Sequence, residues 1–376
     1  MKGNSGLRIL HLAHTPRHSG AESLIRDLCL LHTDSGIVSA MASFCPPLDE
    51  FAGDARRLQD SGVALYFPST MLSKFGRGAH YRDVYRAFQP DVVFAHSVLP
   101  SLYGRLPLAL MRERPAFVTV LHAASNDDFD GGYLRRLEGA TRWLVDSVVA
   151  VSDEGAQNYS KRFGPRASVD VIKNGIDLQR FTQLDRARAR QELGIEGQRK
   201  MILQVGRLAP AKQQDLSIRA LERLLKEQDA ELWLAGLTEY EEYERQLRAI
   251  ALELGVAEKV HFLGARSDVP NLLAATDLYV MPSTREAHSI AIIEALAAGA
   301  PVLASDIPAF AFADEFDGVR IVGRDDVAGV AGAAEDLLRL NARFDRDLSR
   351  FAIERTADQY AALALRLHER RVALAV

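Results

Sequence analysis

Four side chains in the second half of the chain are of types that could handle a phosphorylated sugar. Arg207 and Lys212 stand in "VGRLAPAKQQDLSIRA", a strand-like run followed by a turn and a helix-like run. Arginine offers a planar fork of donors and lysine a compact charge, a pair suited to a diphosphate, and Gly206 lets a ligand approach the backbone. The other two are Glu286 and Glu294 in "STREAHSIAIIEALAAGAPVLASD", with seven residues between them. Here "DLYVMPS" reads as a buried strand, "TREAHS" as a loop, and "IAIIEALAAG" as a helix that Ser289 can cap and Gly299 can end. The first amides of such a helix attract phosphate. Glu294, one turn in, could accept hydrogen bonds from two vicinal hydroxyls, as on a ribose. Glu286, on the loop, would lie nearer whatever hangs beyond the phosphates. Surface basic residues, a loop acid and a helix-dipole cap are the plainer alternatives.

Those residues need strands and helices to hold them, and the chain supplies them twice. "LRILHLA", "VSAMASF", "DVVFAHS", "AFVTVLH" and "SVVAVS" are short apolar runs, each followed by a helical or polar stretch. Continuous apolar strands alternating with helices imply a parallel sheet covered on both faces. The pattern restarts at "MILQVGR" and continues through "AELWLAG", "KVHFLG", "DLYVMPS" and "PVLASD". Between the two series lies a polar linker with a short helix, and "FAIERTADQYAALALRLHERR" ends the chain as an amphipathic helix. The expected architecture is α/β, with two Rossmann-like, doubly wound domains at 1–178 and 179–351. The helix at about 352–376 is expected to pack back on the first. Ligands bind at the carboxyl edges of such sheets, so the cleft between the domains is the expected site.

Bulk properties agree. A length of 376 residues suits two domains. Hydrophobic content of 48% and charged content of 26% are those of a globular protein, and a net charge of −4 gives no pull toward nucleic acid. With two cysteines, no signal-like leader and no apolar run long enough to span a bilayer, a cytoplasmic protein is expected. Residues 56–114 are locally basic, with nine Lys and Arg against four Asp and Glu. They read either as solvated helix faces or as a peripheral contact with an inner membrane.

Several motifs are set aside. His11, His14 and His18 lie close in sequence, but no cysteine or paired acid completes a metal set, and no metal is expected. Asp128-x-Asp130 lies far in sequence from the phosphate-binding candidates and reads as a polar loop. No Gly-x-Gly-x-x-Gly follows the first strand, which argues against a dinucleotide dehydrogenase.

Together "HSGAESLIRDL", "VIKNGID", "VGRLAPAK", "VHFLG" and the acid–seven residues–acid motif resemble the retaining glycosyltransferases of family 4, the glycosyl transferases group 1, which have the GT-B fold. The resemblance runs along nearly the whole chain. It implies transfer of a sugar from a nucleotide-diphosphate sugar, UDP before GDP, to a saccharide or glycolipid hydroxyl. Bacterial surface polysaccharide or lipopolysaccharide synthesis is the setting it suggests. The C-terminal domain would bind the donor and the N-terminal domain the acceptor, with no cofactor and no metal, and with a hinge near 175–185. By the same resemblance Arg207 and Lys212 hold the diphosphate, Glu294 the ribose and Glu286 a donor-sugar hydroxyl. Backbone at Ser289 and Ile290 meets phosphate or sugar, and backbone near Ala265 and Arg266 faces the base. His122 sits against the donor sugar near the reacting carbon. On the acceptor side stand His18 and Gly20 in "HTPRHSGAE", His96 at a strand end, and Asn126.

The chain departs from the family pattern twice. Ser19-Gly20 stands where two glycines are usual, and Ala287, His288 and Ser289 replace a glycine-rich stretch, so His288 could supply a donor or narrow the sugar pocket. A non-hydrolysing nucleotide-sugar epimerase and a non-catalytic nucleotide-sugar-binding partner are the alternative functions.

Overall fold

The computed structural model describes residues 6–124, 129, 132–164 and 169–375. They form two units, one of Met1–Gly175 with Phe351–Val376, the other of Ile176–Arg350.

Unit 1 begins with β1 (Arg8–Ala13), α1 (Gly20–Asp34), β2 (Val38–Ser43), α2 (Ala52–Asp60), β3 (Ala64–Tyr66) and α3 (Lys74–Phe88). It continues with β4 (Val92–His96), α4 (Val98–Arg105), β5 (Ala116–Leu121), α5 (Gly132–Thr141), β6 (Ser147–Ala150), α6 (Asp153–Phe163) and β7 (Val169–Val171). Unit 2 runs α7 (Arg186–Glu192), β8 (Lys200–Val205), α8 (Gln214–Glu227), β9 (Ala230–Ala235), α9 (Glu241–Glu253) and β10 (Val260–Gly264). Then follow α10 (Val269–Ala275), β11 (Leu278–Met281), α11 (Ile290–Ala297), β12 (Val302–Ser305), β13 (Val319–Val322) and α12 (Val327–Leu340). The chain returns to unit 1 as α13 (Ile353–Ala375).

Both sheets are wholly parallel and doubly wound. Unit 1 has seven strands in the order β3-β2-β1-β4-β5-β6-β7, and unit 2 has six in the order β10-β9-β8-β11-β12-β13. Central strands are buried along their length, as β5 and β9 are, because helices cover both faces. Strands β3, β7 and β13 escaped the sequence reading. They are three or four residues long, lie at sheet edges and are only half-covered; β7 and β13 are each interrupted by a charged residue, whereas β3 is a short piece of the apolar run "VALYF".

One face of the unit 1 sheet carries α1 and α13 in a single core with Ile9, Phe94 and Val118. In α13, Ala357, Tyr360, Leu363, Ala364 and Leu367 recur at helical spacing and are all buried. The opposite face packs Tyr81, Tyr85 and Phe88 of α3 against Leu10, Leu12 and Phe117. In unit 2, Leu216 to Leu225 of α8 and Leu337 of α12 cover β8, β9 and β11.

Strand order reverses between β1 and β4 in unit 1 and between β8 and β11 in unit 2. A doubly wound sheet opens its ligand crevice at this point. The loops after β1, β8 and β11 are therefore where each unit offers a site.

Candidate active site

In unit 2 the loop after β8 is built by hydrogen bonds that the sheet itself provides. Gln204, buried in β8, donates through Nε2 to the Lys212 carbonyl at 2.8 Å and accepts from Ser217 Oγ at 2.8 Å. Gln214, buried at the start of α8, donates to the Arg207 carbonyl at 2.9 Å. The loop is thus clamped at both of its basic residues. A polar residue inside the apolar run "MILQVG" is the sequence signal for Gln204.

The loop after β9 presses on the same place. A Cβ added to Gly236 would lie 2.0 Å from the Gly206 carbonyl oxygen, so only glycine permits this approach. A Cβ on Gly206 would meet the Lys212 stem at 3.7 Å, an ordinary contact. The stricter of the two glycines is the one the sequence did not single out.

The loop after β11 joins them. Thr284 N donates to the Ala211 carbonyl at 2.9 Å, and Lys212 Nζ is ion-paired with Glu286 Oε1. Ser283 Oγ also donates to Glu286 Oε1, at 3.2 Å. Ser289 caps α11, its Oγ accepting from Ile292 N at 3.4 Å, and Gly299 ends the helix at a φ of +74°. A helix leaves its first amides without intrahelical acceptors, and its dipole favours an anion there. Tyr279 of β11 is fully buried and its hydroxyl donates to the Val205 carbonyl at 3.3 Å. Burial first, then the charges of Glu294 and Glu286, push its hydroxyl pKa well up. Lys212 and Glu286 thus meet just before α11, and Glu294 stands one turn inside that helix.

Arg207 is half-exposed and ion-paired with Glu239 at 2.7 Å. An exposed pair of this kind is worth little and would yield to a phosphate. Arg266 holds Asp268 through two hydrogen bonds at 2.7 and 2.5 Å, raising its own pKa and lowering that of Asp268. Ala265 beside it is exposed. The ring of His288 stacks on Phe312 with centroids 5.6 Å apart.

In unit 1 the loop between β1 and α1 is tied to α2. His18 N donates to Glu50 at 2.8 Å, and its Nε2 lies 3.5 Å from Asp54. Gly20 is the first residue of α1, and Ser19 Oγ donates to Glu22. His14 Nδ1 lies 2.7 Å from Thr15 Oγ1, whereas His11 is fully buried, so the three neighbouring histidines do not share one surroundings.

His122 follows β5, and its Nε2 lies 3.0 Å from Nδ1 of His96. His96 in turn reaches His11 through Nε2, also at 3.0 Å. Burial pushes the pKa of His122 down to about 4, and that of His96 well below its ordinary value. His96 is 2% exposed and both of its ring nitrogens are engaged, one of them with His122. Asn126, Asp128 and Asp130 lie outside the described residues.

Two family models divide the chain between them: Glycosyltransferase Family 4 over residues 18–180 and Glycosyl transferases group 1 over residues 185–355. The chain belongs to the group 1, family 4 glycosyltransferases. It is 31% identical over 316 residues to the D-inositol 3-phosphate glycosyltransferase of Mycobacterium marinum, a match covering 79% of this chain and 66% of that protein. With the protein of the same name from Geodermatophilus obscurus it shares 33% over 238 residues, 58% of this chain and 52% of that one. The chain thus spans between half and two thirds of these relatives. Among solved structures it is similar to HepE from Anabaena in complex with UDP-glucose, with a TM-score of 0.76, 21% identity and coverage of 95% and 99%. It is also similar to WaaG, a glycosyltransferase involved in lipopolysaccharide biosynthesis, with a TM-score of 0.67, 20% identity and coverage of 97% and 99%. These likenesses carry the fold, GT-B.

Proposed function

We propose that this protein transfers a sugar from a nucleotide-diphosphate donor to a hydroxyl of a saccharide or glycolipid, with retention at the anomeric carbon. The observation that carries this reading is the locality at the mouth of α11. A lysine and an arginine on the loop after β8, the capped N-terminus of α11, and two carboxylates, one on the loop after β11 and one within α11, all belong to the two strands between which the winding changes, and the lysine is paired with the first carboxylate. Phosphate oxygens suit the first three, and ribose and sugar hydroxyls suit the carboxylates.

In the proposed reaction the acceptor oxygen forms its bond to the anomeric carbon on the face from which the diphosphate oxygen departs. That departing oxygen takes the acceptor proton. Arg207, Lys212 and the α11 amides stabilise the growing charge, so the site needs no metal in this account. His122 hydrogen-bonds a sugar oxygen. UDP is the preferred donor nucleotide, a preference supported by the UDP-glucose complex of HepE. The named relatives act on an inositol phosphate, which supports a polyol or saccharide acceptor. Surface-glycan synthesis draws support from the likeness to WaaG.

A calorimetric screen of nucleoside diphosphates tests the reading, followed by incubation with their sugars and a panel of acceptors. Binding of UDP together with transfer to an α-configured product is expected. Release of a C2 epimer from donor alone would replace transfer by epimerisation.

A peripheral membrane contact on unit 1 is part of the proposal. Phe75 on α3 and Leu110 on the turn packed against it are 95% and 91% exposed, beside exposed Lys74 and Arg112. No described helix is long and apolar enough to cross a membrane. Flotation with anionic vesicles should depend on Phe75 and Leu110; equal flotation of Phe75→Ser/Leu110→Ser would remove this part.

A further inference from the structure

Three histidines from three adjacent strands form a continuous hydrogen-bonded row in unit 1. His11 lies in β1, His96 ends β4 and His122 follows β5; β1 pairs with β4 and β4 with β5. The links are His11 Nδ1 to His96 Nε2 and His96 Nδ1 to His122 Nε2, each 3.0 Å. Exposure rises along the row, from 0% at His11 and 2% at His96 to a half-buried His122. Phe94 stacks on His11 and Tyr360 on His96, so the first two rings are walled by aromatic side chains.

A hydrogen bond between two imidazole nitrogens holds one proton, and a neutral imidazole carries one proton in all. The row is therefore all or nothing. Either every ring has its proton on Nδ1, or every ring has it on Nε2. Its inner end decides which. Among the described residues, His11 Nε2 is buried with no hydrogen-bond partner. The nearest ring is His32, with centroids 6.1 Å apart. His32 donates its Nε2–H to the Ala357 carbonyl at 3.0 Å, and its own Nδ1 has no hydrogen-bond partner either. An orphaned buried N–H is rarer and costlier than an under-used acceptor. His11 therefore keeps Nε2 bare and places its proton on Nδ1.

We infer that His11 and His96 are positioning residues that fix His122 in one tautomer, with Nε2 accepting from His96 and Nδ1–H outward. His122 is then a neutral hydrogen-bond donor toward an oxygen ligand, and not a base. That the ligand is a sugar oxygen rests on the transfer reading; the tautomer does not. Burial keeps the row neutral, since it lowers the pKa of all three rings.

The test is long-range 15N–1H correlation spectroscopy at neutral pH on the full chain labelled in histidine, with no donor or acceptor added. His122→Gln identifies the His122 signals by their loss. The expected spectrum shows His122 as a single species protonated on Nδ1. A proton on Nε2, an averaged pair of tautomers or a cation overturns the inference, and the parent protein alone decides this. In His11→Phe the row loses its first proton, and His122 should shift to a mixture of tautomers. A folded His11→Phe protein with His122 still wholly on Nδ1 would also overturn it. Neither result depends on whether sugar transfer is observed.

Discussion

Lys212 and Glu286, 74 residues apart in sequence, are ion-paired through Nζ and Oε1 at the mouth of α11. The cation proposed for a diphosphate is thus held by the acid proposed for a sugar. Ligand entry must then exchange one partner for another. Lys212→Met should lower kcat/KM roughly 100-fold, as loss of a charge-stabilising donor does. Glu286→Gln should leave UDP affinity unchanged or improved, because a competing carboxylate is gone, while transfer falls. Calorimetry with UDP and a transfer assay separate the two; tenfold weaker UDP binding by Glu286→Gln would refute this division of roles.

Gly236→Ala should destabilise unit 2 by roughly 1–3 kcal/mol, the usual cost of forcing extra atoms into a packed place. The new Cβ would sit 2.0 Å from the Gly206 carbonyl oxygen, so the loop bearing Arg207 and Lys212 must move. Urea unfolding measures the first effect and UDP calorimetry the second. Unchanged stability with unchanged binding would mean that the two loops are not in contact.

His288→Gly should alter the ranking of donor sugars by roughly tenfold, the scale on which one filled or emptied pocket position discriminates. The ring is stacked on Phe312 and so has a defined place from which to select. The measurement is kcat/KM for a panel of UDP-sugars. An unchanged ranking would make the residue a bystander.

Stability should fall between pH 6.5 and 4. His122 has its pKa lowered to about 4, while an unfolded chain leaves it near the ordinary value of about 6.5. In that window the unfolded state binds a proton that the folded state refuses, so lowering the pH favours unfolding. The loss from this residue approaches on the order of 3 kcal/mol below pH 4 and vanishes above pH 6.5. His11 and His96, lowered for the same reason, act in the same direction. Urea titrations at pH 7.5, 5.5 and 4.5 should show a shallower dependence in His122→Asn than in the parent.

Tyr360→Phe should be neutral or slightly stabilising, whereas Tyr360→Ala should cost roughly 3–5 kcal/mol. The ring is fully buried with its centroid 5.1 Å from that of Phe94, but among the described residues its hydroxyl has no hydrogen-bond partner. Thermal melts of both variants check the pair. A Phe variant as damaged as the Ala variant would show that the hydroxyl is bonded after all.

Much of the fold was legible because buried parallel strands write themselves as apolar runs. "AFVTVL" and "AELWLA" are such runs, while the edge strands β7 and β13 are interrupted by Asp170 and Arg320. That Glu286 lies on a loop between a strand and a helix and Glu294 within that helix was legible from the sequence. What holds the loop after β8 was not. Gln204 acts by folding the loop after its own strand back onto the sheet, and Gly236 by contact with a loop that follows another strand, and no spacing rule relates residue 204 to 212 or 236 to 206. The histidine row was hidden for the same reason: its members are close only because β1, β4 and β5 are neighbours in the sheet.

Helix α13 has one more consequence, for the order in which the protein is made. Its residues Ile353 to Leu367 complete a core whose other members are Leu7, Ile9, Leu24 and Val118. Unit 2 is a continuous stretch, whereas the earlier unit waits with part of one sheet face, the part beside α1, uncovered until α13 is synthesised. Unit 1 thus cannot complete its core until unit 2 has been synthesised, and meanwhile the uncovered part of its sheet is a surface for a chaperone to shield.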